Sequence, residues 1–176
     1  MISHTRKLVI HFISYHILMA QIHKLHVQNE LKNCSADQFY SFIKNEATKF
    51  PRVCPHIIKS FQILAGNGSI GTVRVMKIAA GASHEVTVKD KIVAADDESR
   101  TLSITIIDGD LLRMYPKFEY TLTVTPVVTQ RREQSSLLKL SVEYEKGNED
   151  VPAPLEYTEL ATALYKAIAG HLAKNA

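Results

Sequence analysis

Apolar and polar residues alternate along most of the chain after Ile22, with the two-residue period of a half-buried β-strand. In the first such stretch, Leu25 and Val27 fall on one side, and Lys24 and His26 fall on the other. Turn residues separate the stretches and so predict seven strands, over residues 22–31, 57–65, 71–79, 83–94, 101–108, 115–127 and 136–145. The short connections between them indicate an antiparallel meander with one solvated face.

A helical period replaces the alternation after the first strand. Ser35 is suited to cap a helix, and Gln38 at the third helical position completes a capping-box pattern. The apolar positions that follow would form the buried stripe of this helix: Phe39, Phe42 and Ile43. Two prolines within residues 50–55 end the helix, and a second short helical turn fits in the same segment.

The longest helical pattern runs from Leu155 to Lys174, with Gly170 as its one weak helix former. Apolar side chains recur there at helical spacing, at Tyr157, Leu160, Ala161, Leu164, Ile168 and Leu172. A single long helix has to bury this stripe, and the large apolar surface available to it is one face of the sheet. The predicted fold class is therefore α+β, with two short helices near the start of the fold.

The first 18 residues differ from the rest of the chain. Residues 8–18 are mostly apolar and follow a basic pair, which suits the core of a signal peptide but is too short for a membrane span. Two histidines interrupt the run, and no small-residue cleavage site follows it. We therefore favour an extension over a secretion signal. We expect residues 1–19 to lie outside the fold and residues 20–176 to form one domain.

A glycine-rich loop separates the second and third predicted strands, with the residues Gly66, Asn67, Gly68, Ser69, Ile70 and Gly71. A phosphate-binding P-loop needs Gly-Lys-Ser or Gly-Lys-Thr before a helix, and a dinucleotide loop needs a helix N-terminus beside the pyrophosphate. Neither is present. The loop is therefore either a plain hairpin connection or a gate that folds tightly over a ligand site.

Composition and charge narrow the class of protein. The chain has 176 residues, of which 45% are hydrophobic, and this is enough for one substantial core. The net charge of +3 is spread over mixed signs and gives little support to a nucleic-acid partner. Cys34 and Cys54 lack neighbouring metal ligands, so two reduced thiols of a cytoplasmic protein are favoured over a disulfide. No metal site or cofactor is predicted.

Five further segments occur in an order that resembles the major latex protein branch of the birch pollen allergen (Bet v I-type) superfamily, the plant helix-grip proteins. They are residues 20–25, 66–72, 98–101, 107–111 and 144–152, which read AQIHKL, GNGSIGT, ESRT, IDGDL and YEKGNEDVP. No single segment is specific, but their order is. The resemblance covers about residues 20–175.

This resemblance implies a helix-grip fold, in which a seven-stranded antiparallel sheet wraps around the long C-terminal helix and encloses a hydrophobic cavity. Members of the family carry hydrophobic or amphipathic plant ligands, such as steroids, hormones, flavonoids and lipids, and are linked to defence and stress. By this resemblance we expect a cytoplasmic, monomeric carrier without a cofactor, nucleic-acid partner or membrane insertion.

The candidate cavity residues follow from the inward phase of each strand and of the last helix, given a hollow fold. They are Leu25, Val27, Met76, Ile78, His84, Val86, Val88, Leu102, Ile104, Phe118, Tyr120, Leu122, Leu140, Val142, Tyr157, Leu160, Ala161 and Leu164. The alternative for each is dry core packing, and a register error of one residue would invert the list of a strand.

A few relatives are enzymes of alkaloid biosynthesis, so catalysis in the same pocket is the alternative. In the related norcoclaurine synthases, a tyrosine and a glutamate on the fourth strand and a lysine on the fifth carry the condensation. Val88, Asp90 and Leu102 stand at those positions here, and only the carboxylate is retained. That reaction is disfavoured, whereas a different isomerisation or condensation stays open. We expect Asp90, Glu85 and Lys91 to face solvent.

Overall fold

The computed structural model describes residues 21–80, 84–127 and 134–175. The extension predicted over residues 1–19 lies outside the described residues.

Seven strands form one antiparallel sheet in the spatial order β1-β7-β6-β5-β4-β3-β2. The strands are β1 (Ile22–Leu31), β2 (Ile58–Ala65), β3 (Val73–Ala80), β4 (His84–Asp96), β5 (Thr101–Gly109), β6 (Lys117–Val127) and β7 (Ser135–Glu145). The helices are α1 (Ala36–Asn45), α2 (Phe50–Val53), α3 (Leu111–Met114) and α4 (Leu155–Lys174), with a 3₁₀ turn at Ala47–Lys49. The predicted α+β helix-grip architecture is confirmed.

The start of α1 follows the capping signal in the sequence. The Ser35 hydroxyl accepts a hydrogen bond from the Gln38 backbone N–H at 3.2 Å and donates to the Gln38 side-chain oxygen at 3.1 Å. The helix packs Phe39 edge-to-face on Tyr165 of α4, with 6.0 Å between the ring centres. Helix α1 therefore packs against α4, and the two helices together cover part of the inner face of the sheet.

The segment between β5 and β6 differs from the prediction. The sequence predicts only a short connection over residues 109–114, followed by a strand that begins at residue 115. Instead Leu111–Met114 forms α3, where the Tyr115 N–H donates to the Leu111 carbonyl oxygen at 3.0 Å. Three residues with good helix propensity follow Leu111, and a single turn needs no wider pattern to form.

The sheet curves around α4. This helix contacts β1 at one edge of the sheet and β3 next to the other edge, so both sides of the sheet reach it. Register shifts between β4 and β5, at Lys89/Asp90 and at Ile92/Ala94, provide bulges that bend the strands. The core lies between the inner face of the sheet and the buried side of α4, where Leu164 and Ile168 are enclosed.

Candidate functional site

A partly open cavity of about 110 Å³ lies between the sheet and α4. Its wall is almost entirely apolar and is formed by Ile57, Ile58, Met76, Ile78, Val88, Asp90, Ile106, Leu111, Phe118, Tyr120, Leu140, Val142, Tyr157, Thr158, Leu160, Ala161, Leu164 and Tyr165. Most of the predicted lining residues are among them, namely Met76, Ile78, Val88, Phe118, Tyr120, Leu140, Val142, Tyr157, Leu160, Ala161 and Leu164. Contact of these residues with a ligand stays a prediction.

Three predicted lining residues belong to the dry core instead. Leu102, Ile104 and Leu122 face inward, but their exposure is at most 1% and none borders the cavity. Helix α1 contacts β6 and β7, and Asp37 of α1 pairs with Arg100 beside β5 at 2.6 Å. The prediction that these side chains point to the inner face was therefore correct, but α1 fills the space over this part of the sheet, so no cavity is left beside them.

The four remaining predicted residues also lie outside the cavity wall. His84, the first residue of β4, is exposed, so its expected position in the cavity is wrong. The alternation along β4 predicts which face of the sheet a side chain points to, but it does not predict burial at the end of a strand, where solvent reaches both faces. Val86 is buried without bordering the cavity. Leu25 is half-buried against the core, and Val27 borders a shallow groove between β1 and the outer side of α4.

Several lining residues were not predicted. Ile106 continues the alternation of its strand and could have been found by extending that list by one step. Ile58 begins β2, while Leu111 belongs to the unpredicted α3. Tyr165 follows Ala161 by four residues on α4, so the helical spacing already placed it on the same face. Ile57, Thr158 and Asp90 complete the set.

The expectation that Asp90 faces solvent is wrong. Asp90 is fully buried at 0% exposure and forms an ion pair with Arg74, which is 3% exposed. Arg74 Nε donates to Asp90 Oδ1, and Arg74 Nη2 donates to Asp90 Oδ2, both at 2.8 Å. The two residues are direct partners in the β3–β4 register. Arg74 lies two residues before Met76 on β3, so its side chain points to the same inner face of the sheet. A charged residue among these apolar positions could have predicted a buried ion pair from the sequence.

Tyr120 joins this ion pair. Its hydroxyl donates to Asp90 Oδ2 at 3.3 Å, and Arg74 Nη2 approaches the same hydroxyl at 3.5 Å. The guanidinium carbon of Arg74 also lies 5.6 Å from the centre of the Phe61 ring. Burial raises the pKa of Tyr120 well above its ordinary value, with the Asp90 charge adding to this. The phenol is therefore neutral at physiological pH.

The charge of Arg74 is held by its partner. Burial is the largest single effect on the Arg74 pKa and lowers it, but the hydrogen bonds to Asp90, together with the charge interactions with Asp90, Tyr120 and Tyr165, outweigh burial, and the net shift is upward. Burial raises the pKa of Tyr165 to about 12. One wall of the cavity thus carries the Asp90 carboxylate, paired with Arg74, which does not itself line the cavity, and the neutral phenols of Tyr120 and Tyr165. Apart from Tyr157 and Thr158, the remaining lining residues are apolar.

The glycine-rich loop is packed against the end of α1. Gly66, Gly68 and Gly71 have positive φ angles of 88°, 97° and 93°. The Gly68 N–H donates to the Thr72 hydroxyl at 3.0 Å, and a Cβ added at Gly68 would lie 2.8 Å from the Lys44 carbonyl oxygen. Asn67, Ser69 and Ile70 complete the loop, and none of these loop residues lines the cavity. A gating role stays a prediction.

Other sites were searched among the described residues. No group of three metal-ligating side chains occurs in residues 21–80, 84–127 and 134–175. Within the same residues, no helix is both long and apolar enough to cross a membrane. Cys34 and Cys54 are buried free thiols. Burial raises the pKa of the Cys34 thiol to about 11, so that this thiol stays protonated and unreactive at neutral pH.

A curved antiparallel sheet that holds one long helix over an apolar cavity defines a helix-grip protein. The sequence profile of the pathogenesis-related protein Bet v 1 family matches residues 20–175, and the chain belongs to this family. Among its relatives, MLP-like protein 423 of Arabidopsis thaliana is 32% identical over 152 residues, which cover 86% of this chain and 94% of that protein. The predicted resemblance to the major latex protein branch is confirmed.

Solved structures show the same fold. The major latex-like protein 151 of Panax ginseng superposes with a TM-score of 0.76 at 22% identity, over 85% of this chain and 97% of that one. Norcoclaurine synthase of Thalictrum flavum gives a TM-score of 0.71 at 24% identity, over 96% of this chain and 98% of that one. At these identities the likeness concerns the fold alone.

Proposed function

We propose that the protein is a carrier that binds hydrophobic or amphipathic small molecules in the cavity between the sheet and α4. The family to which the chain belongs is generally a ligand-binding one. The apolar cavity beneath α4 is the observation that carries the proposal, because small-molecule sites are concave and apolar, with a few polar groups that set orientation. The lining fits this description, since it is apolar except at Asp90, Tyr120, Tyr157, Thr158 and Tyr165.

The cavity volume limits the ligand that fits without rearrangement. An engineered protein cavity of about 150 Å³ takes up benzene, so a cavity of about 110 Å³ accepts at most a molecule of one small ring. Steroids, plant hormones, flavonoids or lipids are larger, and their binding requires the cavity to open wider than it is in this structure. We propose these as the ligand class of the opened form. A role in defence, the monomeric state and the cytoplasmic location stay predictions.

Catalysis in the same cavity is the alternative. Asp90 is a carboxylate in the cavity wall, which is the feature that an isomerase or condensing enzyme would use. However, Arg74 engages both of its oxygens, and Tyr120 occupies a further lone pair of Oδ2. An acid or base has to offer such an oxygen to its substrate, so the geometry favours binding over catalysis.

The proposal is tested by filling the cavity. Ala161 lines the cavity, whereas Ala163 on the same helix is exposed. We expect Ala161→Leu to weaken the binding of toluene at least tenfold in an NMR titration of the full chain. The matched Ala163→Leu variant should bind as the natural protein does. If no one-ring aromatic probe binds the natural protein, or if Ala161→Leu and Ala163→Leu bind the probe with equal affinity, the carrier proposal fails.

A further inference from the structure

Tyr165 is a buried tyrosine whose hydroxyl is left unbonded. It lines the cavity from α4 and is only 6% exposed, and its hydroxyl makes no hydrogen bond to any residue within 21–80, 84–127 and 134–175. In those same segments, every fully enclosed polar side-chain atom has a hydrogen-bond partner. The Tyr165 hydroxyl is therefore not fully enclosed by protein atoms. Since Tyr165 lines the cavity and is otherwise buried, we take the space beside its hydroxyl to be the cavity.

This hydroxyl lies at the same end of the cavity as the ion pair. The charges of Arg74 and Asp90 act on Tyr165, next to the larger effect of burial. Tyr120 touches both charged groups through its hydroxyl. We call Asp90, Tyr120 and Tyr165, which line the cavity, together with Arg74, which binds Asp90 but does not itself line the cavity, the polar end of the cavity. Tyr157 lies eight residues earlier on α4, about 12 Å away along the helix, and also lines the cavity. Unlike Tyr165, it is only half-buried, so solvent can satisfy its hydroxyl.

The polar end offers hydrogen bonds but no free charge. Arg74 and Asp90 neutralise each other at two points. Tyr120 and Tyr165 are protonated at neutral pH, since burial raises the pKa of both phenols. An ionised ligand would leave water without finding an unpaired counter-charge, which is strongly unfavourable. A neutral hydroxyl loses less on leaving water, and it can both donate to and accept from a phenol.

We propose that the polar end selects neutral ligands that carry a hydroxyl group, such as phenols and alcohols, and that the Tyr165 hydroxyl is the principal hydrogen-bond partner of that group. The apolar part of the ligand then points along the cavity towards Tyr157 and Phe118. This inference rests on the proposed function, because it assigns the orientation and chemical class of a ligand held in the same cavity.

Three probes of nearly equal size test the inference: toluene, 4-methylphenol and 4-methylbenzoate. In NMR titrations of the full chain at neutral pH, we expect 4-methylphenol to bind about three- to tenfold more tightly than toluene, as one net hydrogen bond provides. The 4-methylbenzoate anion should bind more weakly than toluene. Tighter binding of the anion than of the phenol would overturn the inference.

The decisive variant is Tyr165→Phe, which removes the hydroxyl and keeps the ring that packs on Phe39. We expect the order to reverse, with 4-methylphenol binding more weakly than toluene, because its hydroxyl would then be buried without a partner. The same substitution at the far end, Tyr157→Phe, should preserve the preference for the phenol. Thermal unfolding of each variant checks that it is folded.

The two proposals fail in different ways. If toluene binds and Tyr165→Phe leaves the ratio of the two dissociation constants unchanged, the hydroxyl inference is wrong and the carrier proposal stands. If neither toluene nor 4-methylphenol binds the natural protein, both proposals are wrong. If 4-methylphenol alone binds, and Tyr165→Phe abolishes this binding, the inference is supported.

Discussion

Arg74 and Asp90 face each other across the neighbouring strands β3 and β4 and are joined by two hydrogen bonds of 2.8 Å. Their side chains are 4% and 0% exposed, so both charges have left water. Removing either charge alone leaves the other buried without a partner, which costs far more than the pair contributes when it is intact. This relationship makes the polar wall of the cavity a structural feature as well as a candidate binding feature.

We expect Arg74→Met to lower the free energy of unfolding by about 3–5 kcal/mol, since it leaves the Asp90 carboxylate uncompensated in the core. The double variant Arg74→Met/Asp90→Leu should recover most of this loss, because neither charge remains. Urea unfolding followed by circular dichroism measures both values.

The control for the ion pair is Lys24→Met. Lys24 and Glu143 are also direct partners on neighbouring strands and lie 2.6 Å apart, but they are exposed. We expect Lys24→Met to lower the free energy of unfolding by less than about 1 kcal/mol. Equal losses for Arg74→Met and Lys24→Met would show that burial of the pair has no special energetic role.

The glycine-rich loop should tolerate alanine unequally. Gly68 and Gly71 both have positive φ angles, which disfavour alanine by about 1–2 kcal/mol. A Cβ at Gly68 would also come within 2.8 Å of the Lys44 carbonyl oxygen, whereas a Cβ at Gly71 would meet nothing within 4 Å. Gly68→Ala should therefore be the more destabilising in urea unfolding. A larger loss for Gly71→Ala would contradict the packing of the loop on α1.

Replacing Gly170 with alanine should stabilise the protein, unlike the glycine substitutions in the loop. Gly170 lies inside α4, and an added Cβ would meet nothing within 4 Å. We expect Gly170→Ala to raise the free energy of unfolding by about 0.5–1 kcal/mol, because alanine loses less backbone entropy in a helix. Gly109→Ala is the contrasting variant, since its Cβ would lie 2.2 Å from the Thr87 carbonyl oxygen at a positive φ. It should destabilise strongly. No gain from Gly170→Ala would mean that α4 is packed or wound differently at this point.

Asp97 should contribute to stability in a pH-dependent way. It accepts hydrogen bonds from Lys44 Nζ at 2.6 Å and from the Tyr40 hydroxyl at 2.7 Å. These bonds, that of Lys44 first, hold the pKa of Asp97 below its ordinary value of 3.8. The unfolded state therefore binds a proton at higher pH than the folded state does. The contribution is present above about pH 4 and is lost as the pH falls through the lowered folded pKa.

Urea unfolding at pH 7 and pH 3 tests this contribution. Asp97→Asn should lose less stability between the two values than the natural protein loses. Asp150→Asn removes an exposed carboxylate from the segment before α4 and should leave the difference closer to that of the natural protein. If Asp97→Asn loses as much stability between pH 7 and pH 3 as the natural protein does, Asp97 makes no pH-dependent contribution.

Much of the fold was predictable because its signals are local. The alternation of apolar and polar residues follows from the geometry of a strand, and it correctly placed Phe118 on a buried face. The helical spacing of apolar residues follows from the geometry of a helix, and it correctly placed Leu164 on a buried face. The hydroxyl of Ser35 reaches only its own helix, and its capping role was likewise visible in the sequence. Helix α3 was missed because one turn is too short to display a period.

The sequence alone determined the seven strands, every helix except α3, and the side on which most apolar residues lie. It did not determine which inward residues border empty space. Leu122 and Tyr120 share one phase of β6, but Leu122 is packed in the dry core and Tyr120 borders the cavity. That difference depends on where α1 and α4 cover the sheet. Likewise, Asp90 could enter the core only because the hairpin register brought Arg74 beside it, since a buried charge requires a partner that the strand itself does not supply.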